Sequence, residues 1–358
     1  MTDAPNKNTV QYIESFDSLR GISVILVLLL HSTYSVVKGG WIGVDLFFIL
    51  SGYLITTLLE NEFFKTGTIS FKKFYMRRIL RLLPPLIICV ILANLLWSFT
   101  PSVEFPFANR EKATLGALFY FTNFQNSTNF NLGHLWSLSV EEHFYFVWPA
   151  LVILFLFKLP LKKKIICLVI FIFIVSALRV LAFNHNWSSG SLVIDPYRCT
   201  FCRIDSILLG ALISFFLSSK KDIQFELNQS LKNVIIVTFI ILLAAIVLLI
   251  DLHNKYWNNG GFVFTNIFCS FIVLFAITNP TESFFSNKLF IWIGKRSYGI
   301  YVYHFPIFLA LESLRKPHNI LNYLLVFFMR FLVSILFSAI VYRYIEQPIL
   351  KLKKHFKP

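Results

Sequence analysis

Charged residues are scarce in this chain. Asp, Glu, Lys and Arg make up 14% of its 358 residues, 56% are hydrophobic, and mean hydropathy is +0.68. A soluble domain carries about a quarter charged residues, so the deficit excludes an ordinary soluble protein and points to a membrane class. Acidic residues are the scarcer sign, 18 against 33 basic, for a formal net charge of +15. The basic residues stand in clusters between apolar runs rather than as a free patch. That is the pattern of cytoplasmic loops, so it argues against nucleic acid as a partner. A basic cytoplasmic face also suits an anionic soluble cosubstrate. Internal repeats, low-complexity tracts and Gly/Ser linkers are all lacking, so residues 1–358 are expected to form one membrane domain with no separate soluble module. Residues 1–15 lack the basic-then-apolar pattern and small-residue cleavage site of a secretory signal, and the first apolar run after Arg20 reads as a retained span. Of the five cysteines, Cys199-Thr-Phe-Cys202 has CxxC spacing but neither the partner pair nor the βαβ context of a metal or redox site. The histidines are scattered without ligand spacing, so no metal is expected.

What is present is a series of apolar runs, each near the ~20 residues needed to cross a bilayer. Ten candidate spans run over 20–37, 43–60, 82–99, 142–158, 164–183, 200–218, 233–251, 261–278, 290–311 and 322–344. The fold class is therefore all-α, a polytopic bundle of about ten transmembrane helices. The run 115–124 is too short to cross and is expected as a re-entrant or interfacial helix in the loop 100–139. One set of alternate loops holds Lys65, Lys72, Lys73, Arg77, Arg78, Arg81, Lys158, Lys162–Lys164, Lys220, Lys221, Lys232, Lys288, Lys295 and Arg296. The tail on that side adds Arg343, Lys351, Lys353, Lys354 and Lys357. The opposite loops hold only Lys38, Arg110, Lys112, Arg198, Arg203, Lys255, Arg315 and Lys316. By the positive-inside rule both termini are cytoplasmic, in agreement with an even number of spans.

Ionisable residues in or beside spans are the informative ones, because burial there is costly without partners or water. In FDSLRGISVILVLLLHS, Arg20 and His31 lie eleven residues apart, about three helical turns and ~16 Å along one face. His31 is either a packed imidazole bonded to a carbonyl or an acid–base group titrating near neutral pH. The aligned arginine and the carboxylates below favour chemistry. Arg77, Arg78 and Arg81 would form one basic face at the start of span 3, suited to phosphates or to lipid headgroups. On the far side lie Asp45, His134, Glu141, Glu142, His143, Arg203 and Asp205. The adjacent pair Glu141 and Glu142 is the most suspicious, since two carboxylates in a span are costly without partners. Trp41, Trp136 and Tyr145 suit either sugar stacking or an aromatic belt. His304, deeper in span 9, serves either packing or the same interior.

With these residues in hand the chain resembles the membrane acyltransferase-3 family. The first span carries Arg20, ten residues, then His31. GWIGVDLFFILSGYLIT, RRILRLLP, LWSLSVEEHFYFVWP, RIDSILLGALI, SYGIYVYHFPI and RYIEQP follow in the family's order over nearly the whole chain. The resemblance implies a multi-pass protein of the cytoplasmic (inner) membrane. It would transfer an acyl group, commonly acetyl from acetyl-CoA, to a hydroxyl of an extracytoplasmic cell-surface carbohydrate. It implies that Arg20 and His31 are essential and that the span 3 arginines help bind the acyl-CoA. In that picture His31 is general base or acyl carrier, and Glu141 or Glu142 holds its other nitrogen. Asp45, His134, Arg203, Asp205 and His304 are acceptor-side or supporting residues. Two departures stand out. His143 replaces the family's usual Gln, and no SGNH-type domain follows the last span, so transfer is expected to finish within the membrane. The rival reading is a transporter or flippase of a lipid-linked sugar, which would not need coenzyme A.

Overall fold

The computed structural model describes residues 13–32, 36–99, 107–125, 131–185, 188–189, 192–219, 227–251, 254, 256–315 and 319–356. Residues 33–35 of the first expected span, and the loop charges Lys220, Lys221, Lys255, Lys316 and Lys357, lie outside them. The helices are α1 (Glu14–Ser32), α2 (Ile42–Thr66), α3 (Phe71–Phe99), α4 (Phe107–Leu118), α5 (Trp136–Leu154), α6 (Leu161–His185) and α7 (Thr200–Ser219). They continue with α8 (Gln229–Leu249), α9 (Phe262–Thr278), α10 (Lys288–Gly294), α11 (Ser297–Glu312), α12 (Ile320–Val341) and α13 (Gln347–Lys351). Two paired dipeptides, Ser188–Ser189 and Leu192–Val193, are the sheet found among the described residues.

Nine helices among the described residues are long and apolar enough to cross a membrane. The expected span 290–311 is realised in two pieces, α10 and α11, broken at Lys295 and Arg296. The short run 115–124 divides between the end of α4 and a single turn at Thr122–Phe124.

Two pairs of reciprocal glycines set the central packing. A Cβ on Gly52 of α2 would lie 1.8 Å from the Ile207 carbonyl, and one on Gly210 of α7 would lie 2.0 Å from that of Ile49. Gly21 of α1 and Gly294 of α10 approach each other's helices in the same way, at Phe290 and Asp17. Lipid tails are as apolar as leucine, so helices in a bilayer gain from close contact rather than from hydrophobic exclusion, and glycine permits that contact. The periphery has the opposite character. Along α8 only 6% of the apolar window is buried, and Val234, Ile241 and Leu249 face outward, as a lipid-facing helix requires.

α3 remains helical through Pro84 and Pro85. Each proline removes an amide that would have bonded the carbonyl four residues back. Nearby, the Tyr298 hydroxyl donates to the Leu82 carbonyl at 2.9 Å, tying α11 to this point of α3. α1, α2, α3, α5 and α11 thereby enclose the interior where most of the candidate residues lie.

Candidate active site

His31 occupies the last turn of α1. Its Nδ1 meets His304 Nε2 of α11 at 2.8 Å, and His304 Nδ1 meets the Tyr301 carbonyl at 2.5 Å. A carbonyl can only accept, so the His304 proton sits on Nδ1 and, in the neutral ring, Nε2 carries a lone pair. His31 therefore donates from Nδ1, and its own lone pair falls on Nε2. The two rings stack with centroids 5.0 Å apart. His304 is fully buried.

Proline accounts for the third histidine. Pro306 lies inside α11, and its missing amide leaves the Val302 carbonyl without an ordinary helical donor. His134 Nε2 donates to that carbonyl at 2.9 Å, and Cys89 Sγ approaches it at 3.1 Å. His134 Nδ1 is buried with no hydrogen-bond partner among the described residues. Phe305 packs against both His31 and His134. Among the described residues no group of three or more His, Cys, Asp or Glu side chains is placed to hold a metal ion.

Beside this cluster is a cavity of about 210 Å³, walled by Arg20, Ser51, Arg78, Arg81, Glu141 and Tyr301 among others. Tyr301 connects the two places, since its side chain lines the cavity while its carbonyl holds His304. Its hydroxyl donates to the His134 carbonyl at 2.7 Å and lies 2.6 Å from that of Ser137. The Arg78 guanidinium stacks over the Tyr145 ring at 4.5 Å, and Tyr145 shares a hydrogen bond with Ser51. Arg20 contacts Asp17 at 3.3 Å. The Glu141 carboxyl interacts with the Ser51 hydroxyl and with the charges of Arg78, Arg81 and Arg20. Three guanidinium groups and one carboxylate thus line the cavity, a balance that favours an anionic ligand.

Three sequence expectations change here. His304, not Glu141 or Glu142, holds the second nitrogen of His31. Glu141 belongs instead to the arginine cavity, and Glu142 Oε1 is buried without a hydrogen-bond partner among the described residues. Arg77 does not share the cavity with Arg78 and Arg81. Glu62 at the end of α2 draws it away, at 3.2 Å, and its NH1 donates to the Phe356 carbonyl at 2.7 Å. Trp41, Trp136 and Tyr145 are buried, so none offers a ring for stacking at the surface.

Asp45, Arg203 and Asp205 form a separate, closed network. Arg203 pairs with Asp45 at 2.5 Å with both side chains fully buried, and Arg179 pairs with Asp205 at 2.9 Å. Ser206 and Asn266 link the two pairs: the Ser206 hydroxyl donates to Asn266 Oδ1 at 2.9 Å and lies 3.3 Å from Asp45, and Asn266 donates to Asp205 at 3.0 Å. Arg179 and Asn266 were not singled out from sequence. A lone arginine within the apolar run 164–183 is the signal that would have found the first, because such a residue requires a partner. His143 Nδ1 meets the Thr200 hydroxyl at 2.7 Å, away from the histidine cluster.

The acyltransferase-3 family model, described as "Acyltransferase domain", matches residues 13–342. O-acetyltransferase OatA of Staphylococcus aureus strain NCTC 8325 is 33% identical over 365 residues, covering 97% of this chain and 58% of that protein. A putative O-acetyltransferase of S. aureus strain COL is 30% identical over 359 residues, covering 96% and 58% respectively. The chain therefore spans 58% of the length of these relatives. No solved structure matches the chain.

Proposed function

Because the chain belongs to the acyltransferase-3 family, we propose that it is a membrane O-acetyltransferase in which His31 is the general base. The carrying observation is the proton order Tyr301 carbonyl–His304–His31, which leaves the lone pair of His31 on Nε2. The names of the relatives, O-acetyltransferase and putative O-acetyltransferase, support the choice of reaction.

The donor in this reading is acetyl-CoA, entering from the cytoplasmic side, where both chain termini also lie. Arg78 and Arg81 receive its phosphates, and Arg20 lines the way along which the thin pantetheine arm carries the thioester towards His31. A hydroxyl of an extracytoplasmic cell-surface carbohydrate approaches from the other side of the cytoplasmic membrane. His31 Nε2 takes the hydroxyl proton while the oxygen attacks the thioester carbonyl. The tetrahedral intermediate collapses with cleavage of the carbon–sulfur bond, and the proton held by His31 passes to the departing sulfur. His304 accepts from His31 Nδ1 throughout and stabilises the imidazolium formed midway, the part an orienting carboxylate plays in a triad. Glu141 balances the arginine charges and holds Ser51. Asp45, Arg203 and Asp205 support the scaffold rather than the acceptor, and residues 1–358 act as a single membrane domain.

The test is binding and turnover of radiolabelled acetyl-CoA by purified protein in detergent. Wild type is expected to bind and turn over the thioester, His31→Ala to bind without turnover, and Arg78→Ala to bind weakly. Failure of every variant, wild type included, to engage acetyl-CoA would overturn the donor assignment.

A further inference from the structure

Beyond α12 the chain does not leave the protein. A π-helical turn at Tyr342–Glu346, then α13, then a tight 3-10 turn at Leu352–Phe356 carry it back across the start of α3. Such π-bulges mark functional positions more often than ordinary helix does. The segment is latched at its far end, where Arg77 NH1 donates to the Phe356 carbonyl at 2.7 Å. Arg77 is itself steadied by Glu62 at 3.2 Å.

The latch fixes where Lys353 stands. In a 3-10 helix residues three apart are eclipsed, so Lys353 and Phe356 share a face, and they are the two half-buried residues of the turn. Lys353 is half-buried, whereas Lys351 and Lys354 are exposed. The charges acting on Lys353 are those of Arg81, Arg78 and Arg77, all of its own sign. The neighbouring carboxylates accompany the arginines rather than Lys353: Glu62 pairs with Arg77 and accepts from the Ser70 amide, Glu346 lies in the field of Arg81, and Glu141 and Glu142 in that of Arg78. No carboxylate among the described residues acts on Lys353 itself, and holding it beside three arginines costs free energy through like-charge repulsion and desolvation unless an anion meets it.

We infer that Lys353 is a donor-binding residue that seats the 3′-phosphate of coenzyme A, presented by a C-terminal strap latched through Arg77. This rests on the acyl-CoA reading above. Arg20, Arg78 and Arg81 line the cavity and Lys353 does not, while the turn that carries Lys353 packs on α3, the helix that bears Arg78 and Arg81; in this reading Lys353 meets a part of the donor that lies outside the cavity. A cavity of about 210 Å³ is too small to enclose the whole of coenzyme A, so in this reading the nucleotide end lies outside it. The phosphate on the adenosine ribose, farthest along the molecule from the thioester, is then the one that meets Lys353. Lysine suits this position because it binds phosphate as a point charge on a flexible stem.

The test compares coenzyme A with 3′-dephospho-coenzyme A on the full-length protein in detergent, by equilibrium binding. Wild type is expected to prefer coenzyme A by about tenfold, the scale of one charge-assisted contact. Lys353→Gln should lose that preference while binding dephospho-coenzyme A as wild type does, and Lys353→Arg should restore most of it. Lys351→Gln, which removes the same charge from an exposed neighbour, should keep the full preference. If Lys353→Gln still discriminates as well as wild type, the inference fails while the donor reading stands. If wild type binds neither compound, the donor reading itself fails. Loss of binding to both compounds in Lys353→Gln, with wild-type binding intact, would also overturn the inference, because the lysine would then be supporting the fold.

Discussion

The molecule holds two sets of buried charges built from the same residue types. In the network of Asp45, Arg203, Arg179 and Asp205, each arginine is matched by a carboxylate, with Ser206 and Asn266 between the pairs. The lining of the cavity of about 210 Å³ holds Arg20, Arg78 and Arg81 with one carboxylate, Glu141, while Asp17 contacts Arg20 from outside the lining. The first set is neutral and closed and joins α2, α6, α7 and α9. The second has a positive lining and is open. The comparison shows that an ionisable residue in a membrane helix is not itself a sign of a ligand. The surplus of one sign next to room for a molecule is what points to one.

Six variants break or sharpen this contrast. The largest effect is expected for His31→Ala, which should lower kcat by about 10²–10⁴, the range for a general base, with acetyl-CoA affinity and thermal stability unchanged. Asp45→Ala should do the reverse. It leaves Arg203 buried and uncompensated and should cost about 3–5 kcal/mol in detergent unfolding, with the surviving folded fraction still binding acetyl-CoA. Replacing both partners, Asp45→Leu with Arg203→Met, should recover much of that loss, because removing a buried pair is far less harmful than breaking it. His304→Ala should reduce kcat by about 10–100-fold, as loss of an orienting partner does elsewhere. His304→Gln should restore part of the rate, since a glutamine carbonyl can accept from His31 Nδ1. The smallest effect is expected for Arg78→Ala, about a tenfold rise in the acetyl-CoA Kd measured by titration calorimetry, with no change in Tm.

Much of this was legible in the residues. Apolar runs announce the bundle, and the eleven-residue step from Arg20 to His31 places both on one face of α1. The short Arg78-Ile-Leu-Arg81 spacing likewise places two cavity arginines together. What the sequence hides are partnerships between distant helices. His31 and His304 are 273 residues apart in the chain, and no periodicity within α1 or α11 announces their hydrogen bond. Arg77 reads as a third donor arginine because helical spacing groups it with Arg81, but Glu62 and the Phe356 carbonyl decide its direction. Glu141 reads as a partner for His31 because both fall in far-side segments. The interior path of α5 brings it to the arginines instead. Pro306 gave a usable signal, since a proline two residues after His304 frees the Val302 carbonyl that positions His134.

The most direct measurement uses proteoliposomes with radiolabelled acetyl-CoA trapped inside and a saccharide acceptor outside, comparing wild type with His31→Ala. The account predicts labelled acetyl on the external saccharide with wild type, and none above background with His31→Ala, although that variant still binds acetyl-CoA. Transfer by His31→Ala at the wild-type rate would contradict it.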